Sequence, residues 1–215
     1  CEVKVNELTK GEFIATPRRI NINNKEKKYF NIIEHIDKIE KGYFGGDGVE
    51  ELFKKYYYEI KQLATEHRHN RSLRCRWRRK NFIPVKIVKD LVSLGFDINS
   101  LKKAYFRMDL KAAKIPVLIE LDKDLLNFIG LWIADGCYDR GSVVLSGVEE
   151  ENRKVAYGLA KRYGFNVKMH SDKFSLMLNS STLRIVMRDI FNLKGNAYTK
   201  RIPEWIYNLS NEQIS

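Results

Sequence analysis

Leu125-Leu126-Asn127-Phe128-Ile129-Gly130-Leu131-Trp132-Ile133-Ala134-Asp135-Gly136 is the stretch on which the reading of this chain turns. Its apolar residues fall at helical spacing, and a helix is expected over Lys123–Asp135. Gly130 and Ala134 lie four residues apart, so they share one helix face, where small side chains let a second helix backbone come close. A glycine inside a helix costs up to about 1 kcal/mol, which close packing would offset. Asp135 falls in the last turn, where the helix dipole disfavours an anion; a cation held there would explain the placement. Gly136 is expected to stop the helix as a left-handed C-cap.

Working outward, Ile115–Glu120 predicts a strand before this helix. Behind it come strands at Ser142–Gly147, Phe165–His170 and Lys173–Asn179, with helices at Glu150–Tyr163 and Thr182–Phe191. Cys137–Asp139 supplies a further short strand, and Ser171-Asp172 a two-residue hairpin turn. The fold class is α+β, with helix-strand-strand-helix-strand-strand-helix order and an antiparallel sheet. Ahead of this unit lie a strand segment and a mainly helical basic region. Helical spacing is expected over 29–41 and 49–66, a glycine-rich loop over Gly42–Gly48, and two short helices at Pro84–Leu94 and Ser100–Leu110. That pair, spanning 83–110, makes a candidate helix-turn-helix. The segments are 1–22, 23–112 and 113–215.

Residues 67–80 hold seven Arg/Lys and no acid. Leu73, Cys75 and Trp77 alternate with Arg74, Arg76 and Arg78, which predicts a strand with one apolar and one cationic face. Arg71, Arg74, Arg76, Arg78, Arg79 and Lys80 are the expected contacts to a row of phosphates. The alternative is a solvated basic edge strand that blocks aggregation. Across the chain, 39 Lys and Arg against 27 Asp and Glu give a net charge of +12, which favours a nucleic-acid partner over a merely solvated surface.

Other chemistries lack support. Cys1, Cys75 and Cys137 are far apart and odd in number, which argues against a disulfide framework and for a reducing, cytoplasmic setting. No apolar run approaches the roughly 18 residues of a membrane span, so no membrane partner is expected. The four histidines lack zinc spacing, and Gly42–Gly48 lacks the lysine-serine ending of a phosphate loop. The chain begins with Cys and stops in mid-pattern, as a piece of something larger would.

Phe128 through Gly136 resembles the nine-residue signature of LAGLIDADG homing endonucleases, also called dodecapeptide or DOD-type. Gly130, Leu131, Ala134, Asp135 and Gly136 are identical to it, and Ile133 stands at the first acidic position. Thr199-Lys200-Arg201-Ile202-Pro203 resembles the Lys-x-Ile-Pro segment of intein-borne members. Val5 through Arg19 resembles, more loosely, the edge of an archaeal intein splicing domain, which would make 1–22 its remnant and 113–215 an endonuclease half-domain. The segment after Cys1 does not resemble the splicing block, and Cys1 is better explained as a fragment end than as a splicing nucleophile.

The resemblance implies a divalent-metal nuclease acting on a long double-stranded DNA site. In that family two motif helices pack together and their aspartates hold Mg²⁺ (or Mn²⁺) over the scissile phosphates. Asp135 would be one metal ligand and catalytic residue. Lys200 would be the catalytic lysine that positions water or stabilises charge. The flanking sheet would read DNA through Arg140, Lys168, His170 and Lys173, with Ser142, Asp172 and Ser175 as further candidates. Gly130, Ala134 and Gly136 would pack the motif helix. Only one motif is present, so the partner would be a second LAGLIDADG half, from the same full-length chain or a second copy. The rival expectations are a non-catalytic DNA-binding module and a splicing-associated element whose nuclease is degenerate or incomplete.

Overall fold

The computed structural model describes residues 26–146 and 149–214; the expectation for 1–22 lies outside them. The molecule is a mixed α+β structure, about half helical, with several small antiparallel sheets. In chain order it runs β1 (Tyr29–Asn31), a 3-10 turn (Ile32–Lys38), β2 (Tyr43–Gly45), α1 (Asp47–Lys55), α2 (Tyr57–Glu66), α3 (Arg71–Arg79), β3 (Phe82–Pro84) and α4 (Val85–Ser93). A second 3-10 turn (Asn99–Lys103) leads to β4 (Tyr105–Arg107), β5 (Ile115–Pro116) and β6 (Leu118–Glu120). Then come α5 (Lys123–Asp135), β7 (Gly136–Asp139), β8 (Ser142–Leu145), α6 (Glu150–Tyr163), β9 (Asn166–Met169), β10 (Leu176–Asn179) and α7 (Ser181–Ile185). A π turn (Val186–Ile190), a 3-10 turn (Glu204–Asn208) and α8 (Asn211–Ile214) follow.

Several expectations before residue 113 are corrected. Residues 71–79 form a helix, not a strand: Asn70 caps it by accepting from Leu73 N at 2.9 Å, and only Trp77 on it is buried. The alternating apolar face is therefore not a face at all, because Leu73 and Cys75 are exposed. Ser100–Leu110 is a 3-10 turn followed by a strand, so the helix expected to complete a helix-turn-helix at 83–110 is not formed. Phe106 there pairs with Phe44 on β2, and sheet hydrogen bonding with an apolar neighbour prevails over a short helical pattern. Within 29–41, the 3-10 turn and β1 replace the expected helix. Gly42–Gly48 contains β2 and the start of α1. The helix over 49–66 breaks at Tyr56, whose φ/ψ of −127°/39° is not helical.

Three sheets result, ordered β1-β6, β3-β2-β4-β5 and β7-β8-β10-β9. In the last, Leu178 pairs with Val143 and Val167, and Leu176 with Leu145. Alternation therefore sends Tyr138, Val143, Leu145, Val167, Leu176 and Leu178 to the core side. Helices α5 and α6 lie beside that sheet, tied by Arg162, whose guanidinium meets Asp122 at 2.6 Å. Asp122 also caps α5 by accepting from Leu125 N. Gly164, at φ 72°, ends α6 in the left-handed conformation that glycine tolerates.

A continuous apolar cluster runs from Phe30 to Leu209. Phe30 on β1 meets Phe191 edge-on at 4.8 Å and Trp205 at 5.2 Å. Gln213 closes the circuit: its amide oxygen accepts from Lys27 N, and its amide nitrogen donates to the Lys27 and Leu121 carbonyls. No helix among the described residues is long and apolar enough to cross a membrane.

Gly136 is not a left-handed cap. Its φ/ψ of −86°/162° is extended, and it opens β7 directly. Glycine is needed for space instead: a Cβ there would lie 2.6 Å from Trp132 Cα. Gly136→Ala should therefore destabilise the chain by about 1–3 kcal/mol. Gly141→Ala, where an added Cβ meets nothing within 4 Å, should stay within about 0.5 kcal/mol. The urea midpoint at unchanged slope reads both; equal midpoints would refute the close-approach account.

Candidate functional site

The α5–β7 junction is the site's frame. Because Gly136 lets the chain pass straight from helix to strand, Asp135 stands at the corner, exposed. Its backbone carbonyl accepts from Ser146 N at 3.3 Å; its carboxylate has no hydrogen bond or ion pair among the described residues.

Lys200 returns to this corner from 68 residues beyond Trp132. Its Nζ donates to the Trp132 carbonyl at 2.8 Å and lies 4.8 Å from the centre of the indole ring. Partial burial pulls its pKa below the usual lysine range, while Cys137 and Asp135 pull it back up. The fold thus brings together Asp135 and Lys200, the two residues that the motif resemblance marks as catalytic. A compact turn presents the lysine: Asn196 O accepts from Thr199 N and Lys200 N, each at 3.0 Å. Gly195 adopts φ 103° where a Cβ would strike the Thr199–Lys200 backbone.

Sequence reasoning gave Trp132 and Tyr138 no role, yet they hold the corner. The indole Nε1 donates to the Cys137 carbonyl at 3.3 Å, and the rings lie 4.7 Å apart. Tyr138 donates its hydroxyl to Leu193 O at 2.8 Å, and burial pushes its pKa far up. An aromatic pair bracketing a motif helix's last turn was the available signal.

On α5, Gly130 and Ala134 are exposed, and a Cβ at Gly130 would meet nothing within 4 Å. The small-residue face is open. Trp132, Ile129, Phe128 and Leu125 fill the buried face.

The outward face of the β7-β8-β10-β9 sheet carries, by alternation, Cys137, Asp139, Ser142, Val144, Met177, Asn179, Lys168 and Asn166. Lys168 is exposed there, and Arg140 is exposed in the β7–β8 turn at φ 45°. Ser142 donates to Asn179 at 2.9 Å, so it is already engaged. The β9–β10 turn is longer than Ser171-Asp172. Asp172 accepts from Phe174 N, Ser175 N and the Ser175 hydroxyl, and Lys173 takes φ 62°. These bonds hold the Asp172 carboxyl far below its ordinary pKa. His170 meets Asp172 at 3.2 Å, so His170, Asp172 and Ser175 serve the turn, while Lys173 and Phe174 project from it, Phe174 at 73% exposure.

The basic segment is the helix α3, which the structure sets against α1 and α2 rather than at Asp135. Arg71, Arg76, Arg79 and Lys80 are exposed with no acidic partner among the described residues. Arg74 donates to Thr65 Oγ1 and His69 O, and Arg78 lies over the Tyr57 ring at 5.0 Å.

Among the described residues, no group of three or more His, Cys, Asp or Glu is arranged to hold a metal ion. At the corner, Asp135 alone offers a free carboxylate. Mg²⁺ commonly keeps several waters and takes one or two carboxylates plus phosphate oxygens. The residues therefore fit such an ion only if another acid and the nucleic acid complete the shell.

No protein-family profile matches the chain. It is 25% identical, over 221 aligned positions, to an uncharacterized protein of Methanocaldococcus jannaschii; the match covers 96% of this chain and 21% of that protein. The chain thus spans about a fifth of the curated relative it matches.

The Lys200 environment makes a pH prediction. Its titration midpoint, followed by the ¹³Cε shift, should fall below those of the surface lysines. Asp135→Asn should lower it further, because the carboxylate is one of the groups holding it up. Burial that favours the neutral amine makes the protonated lysine a penalty on the folded state, present below the folded midpoint and relieved as pH rises through it. A midpoint unmoved by Asp135→Asn would separate the two residues.

Proposed function

We propose that this chain is one half of a LAGLIDADG-type, intein-associated homing endonuclease, which binds a long double-stranded DNA site and hydrolyses phosphodiester bonds with a divalent metal. One observation carries the reading: an exposed aspartate ends a helix with an open small-residue face, and a lysine from far along the chain is hydrogen-bonded one turn away from it. The element order from α5 to α7 supports it, as does the excess of basic charge.

Asp135 would hold Mg²⁺ (or Mn²⁺) together with the acid of a second motif helix and the DNA phosphate. The ion, when bound, neutralises phosphate charge and lowers the pKa of a bound water. Lys200 keeps two N–H donors beyond the one given to Trp132. They can be offered to the attacking water or to the developing phosphate charge, and the partial burial of the lysine strengthens that interaction. Lys168, Arg140 and Lys173, on or beside the outward sheet face, would lie along the duplex groove. The second half would come from a longer chain or a second copy seated on the Gly130–Ala134 face. A DNA-binding module without catalysis is favoured by the single carboxylate at the corner, and the cleavage assay separates the two.

With a second motif helix supplied, Asp135→Asn should abolish Mg²⁺-dependent cleavage and leave duplex affinity nearly unchanged; cutting at the wild-type rate would end the catalytic assignment. Gly130→Ala should stabilise the unpaired chain by up to about 1 kcal/mol, since nothing crowds the site, yet weaken pairing with the second half. Sedimentation and thermal melting together read this. Unchanged pairing would mean that the face is not an interface.

A further inference from the structure

The cleft between α1, α2 and α3 shares no residue with the Asp135–Lys200 corner. We infer that it is a separate nucleic-acid site, which holds a stretch of phosphodiester backbone without any metal. The cleft encloses about 920 Å³. Phe53 and Ile60, both buried, lie at its base. Its rim carries Lys54, Lys61, Arg71, Arg74, Arg78 and Arg79 against a single acid, Glu50. That acid is already engaged: Lys54 pairs with it at 2.8 Å, and Asn81 donates a hydrogen bond to it at 3.1 Å. The remaining cations have no counter-charge among the described residues.

The helix carrying them opposes its own electrostatics at one end only: Arg78 and Arg79 lie in the last turn, where the dipole favours a cation, but Arg71 does not. α3 has no acid in its first turn, and Arg71 stands there, where the helix dipole disfavours a cation. Arg71, Arg74 and Arg78 follow one another along one side, roughly one per turn, or about 5.4 Å of rise. A small anion would need one or two of them; a line of evenly spaced positive charge fits a polymer of evenly spaced negative charge. Two of the three are also oriented. Arg74 is fixed by Thr65 and His69, and Arg78 lies over the Tyr57 ring. A guanidinium lying against an aromatic keeps its N–H edge free to grip two phosphate oxygens at once.

The same helix supplies its own control, because Arg76 and Lys80 are equally exposed but do not line the cleft. This site stands apart from the cleavage reading: it needs neither Asp135 nor magnesium. The whole chain is titrated, in EDTA, against fluorescent duplex DNA of two unrelated sequences and against one of their single strands, from about 50 to about 200 mM salt. Arg71→Gln/Arg78→Gln/Arg79→Gln should weaken binding to both duplexes alike, by roughly tenfold or more, and flatten the log–log salt slope by up to about 0.9 for each phosphate no longer neutralised. Arg76→Gln/Lys80→Gln should do far less. The Arg71→Lys/Arg78→Lys/Arg79→Lys variant should keep most of the slope, which separates lost charge from lost folding. The proposal is overturned if the two Gln variants lose affinity equally or the cleft variant loses none. Displacement of DNA by polyglutamate at matched charge would also overturn it, since any polyanion would then do. Relative affinity for duplex and single strand identifies which form the backbone comes from. Intact metal-free binding with no Mg²⁺-dependent cutting would fail the nuclease and spare the cleft.

Discussion

The packing of Gly136 against Trp132 is the constraint on which the candidate site depends. With no side chain at 136, the helix ends and the strand begins without an intervening loop, and Asp135 has only one place to be. The indole then serves several neighbours at once. It donates to the Cys137 carbonyl and packs on Tyr138, while Lys200 takes both the ring face and the tryptophan's own backbone carbonyl. A lysine drawn to the negative end of a helix and to an aromatic face is doubly favoured there. Lys200 thus brings a positive charge near the aspartate of the last helical turn without forming an ion pair with it.

Much of the second half was legible because its patterns are long and agree with one another. Lys123–Asp135 and Glu150–Tyr163 each carry a full apolar stripe and a clear end signal, and both helices form over the expected residues. The strand Leu176–Asn179 is pinned by alternation against a buried face, and Ser142–Leu145 is a short run whose residues are all buried. The first half was less legible for physical reasons. Over 71–80 a period of two rests on only three apolar residues, and two of them turn out exposed. Asn70, a good N-cap, was the better signal. At 100–110 the outcome depends on Phe44, far back along the chain, which no local window contains.

Asp135 and Lys200 could be named from sequence because a motif marks each, but their proximity could not, since it depends on the Asn196–Lys200 turn and on Trp132. The cleft beside α3 was visible only as an excess of positive charge. Its shape requires Lys54, Tyr57 and Lys61 from two earlier helices, which carry no pattern that distinguishes them from ordinary surface residues.

The bond between Gln213 and Lys27 joins residues 186 positions apart, and the Phe30 ring reaches Phe191 and Trp205 in the same layer. Contacts of such range must overcome a large loop-closure entropy before they contribute anything. During synthesis from the amino end, Phe30 and β1 therefore emerge long before the aromatics that cover them. That strand can pair with β6 early, but its apolar side stays wetted until nearly all of the described chain has left the ribosome. Lys200 arrives in the same late interval, so the corner at Asp135 acquires its second charge only when the apolar layer closes, and an interrupted chain would carry the aspartate without the lysine.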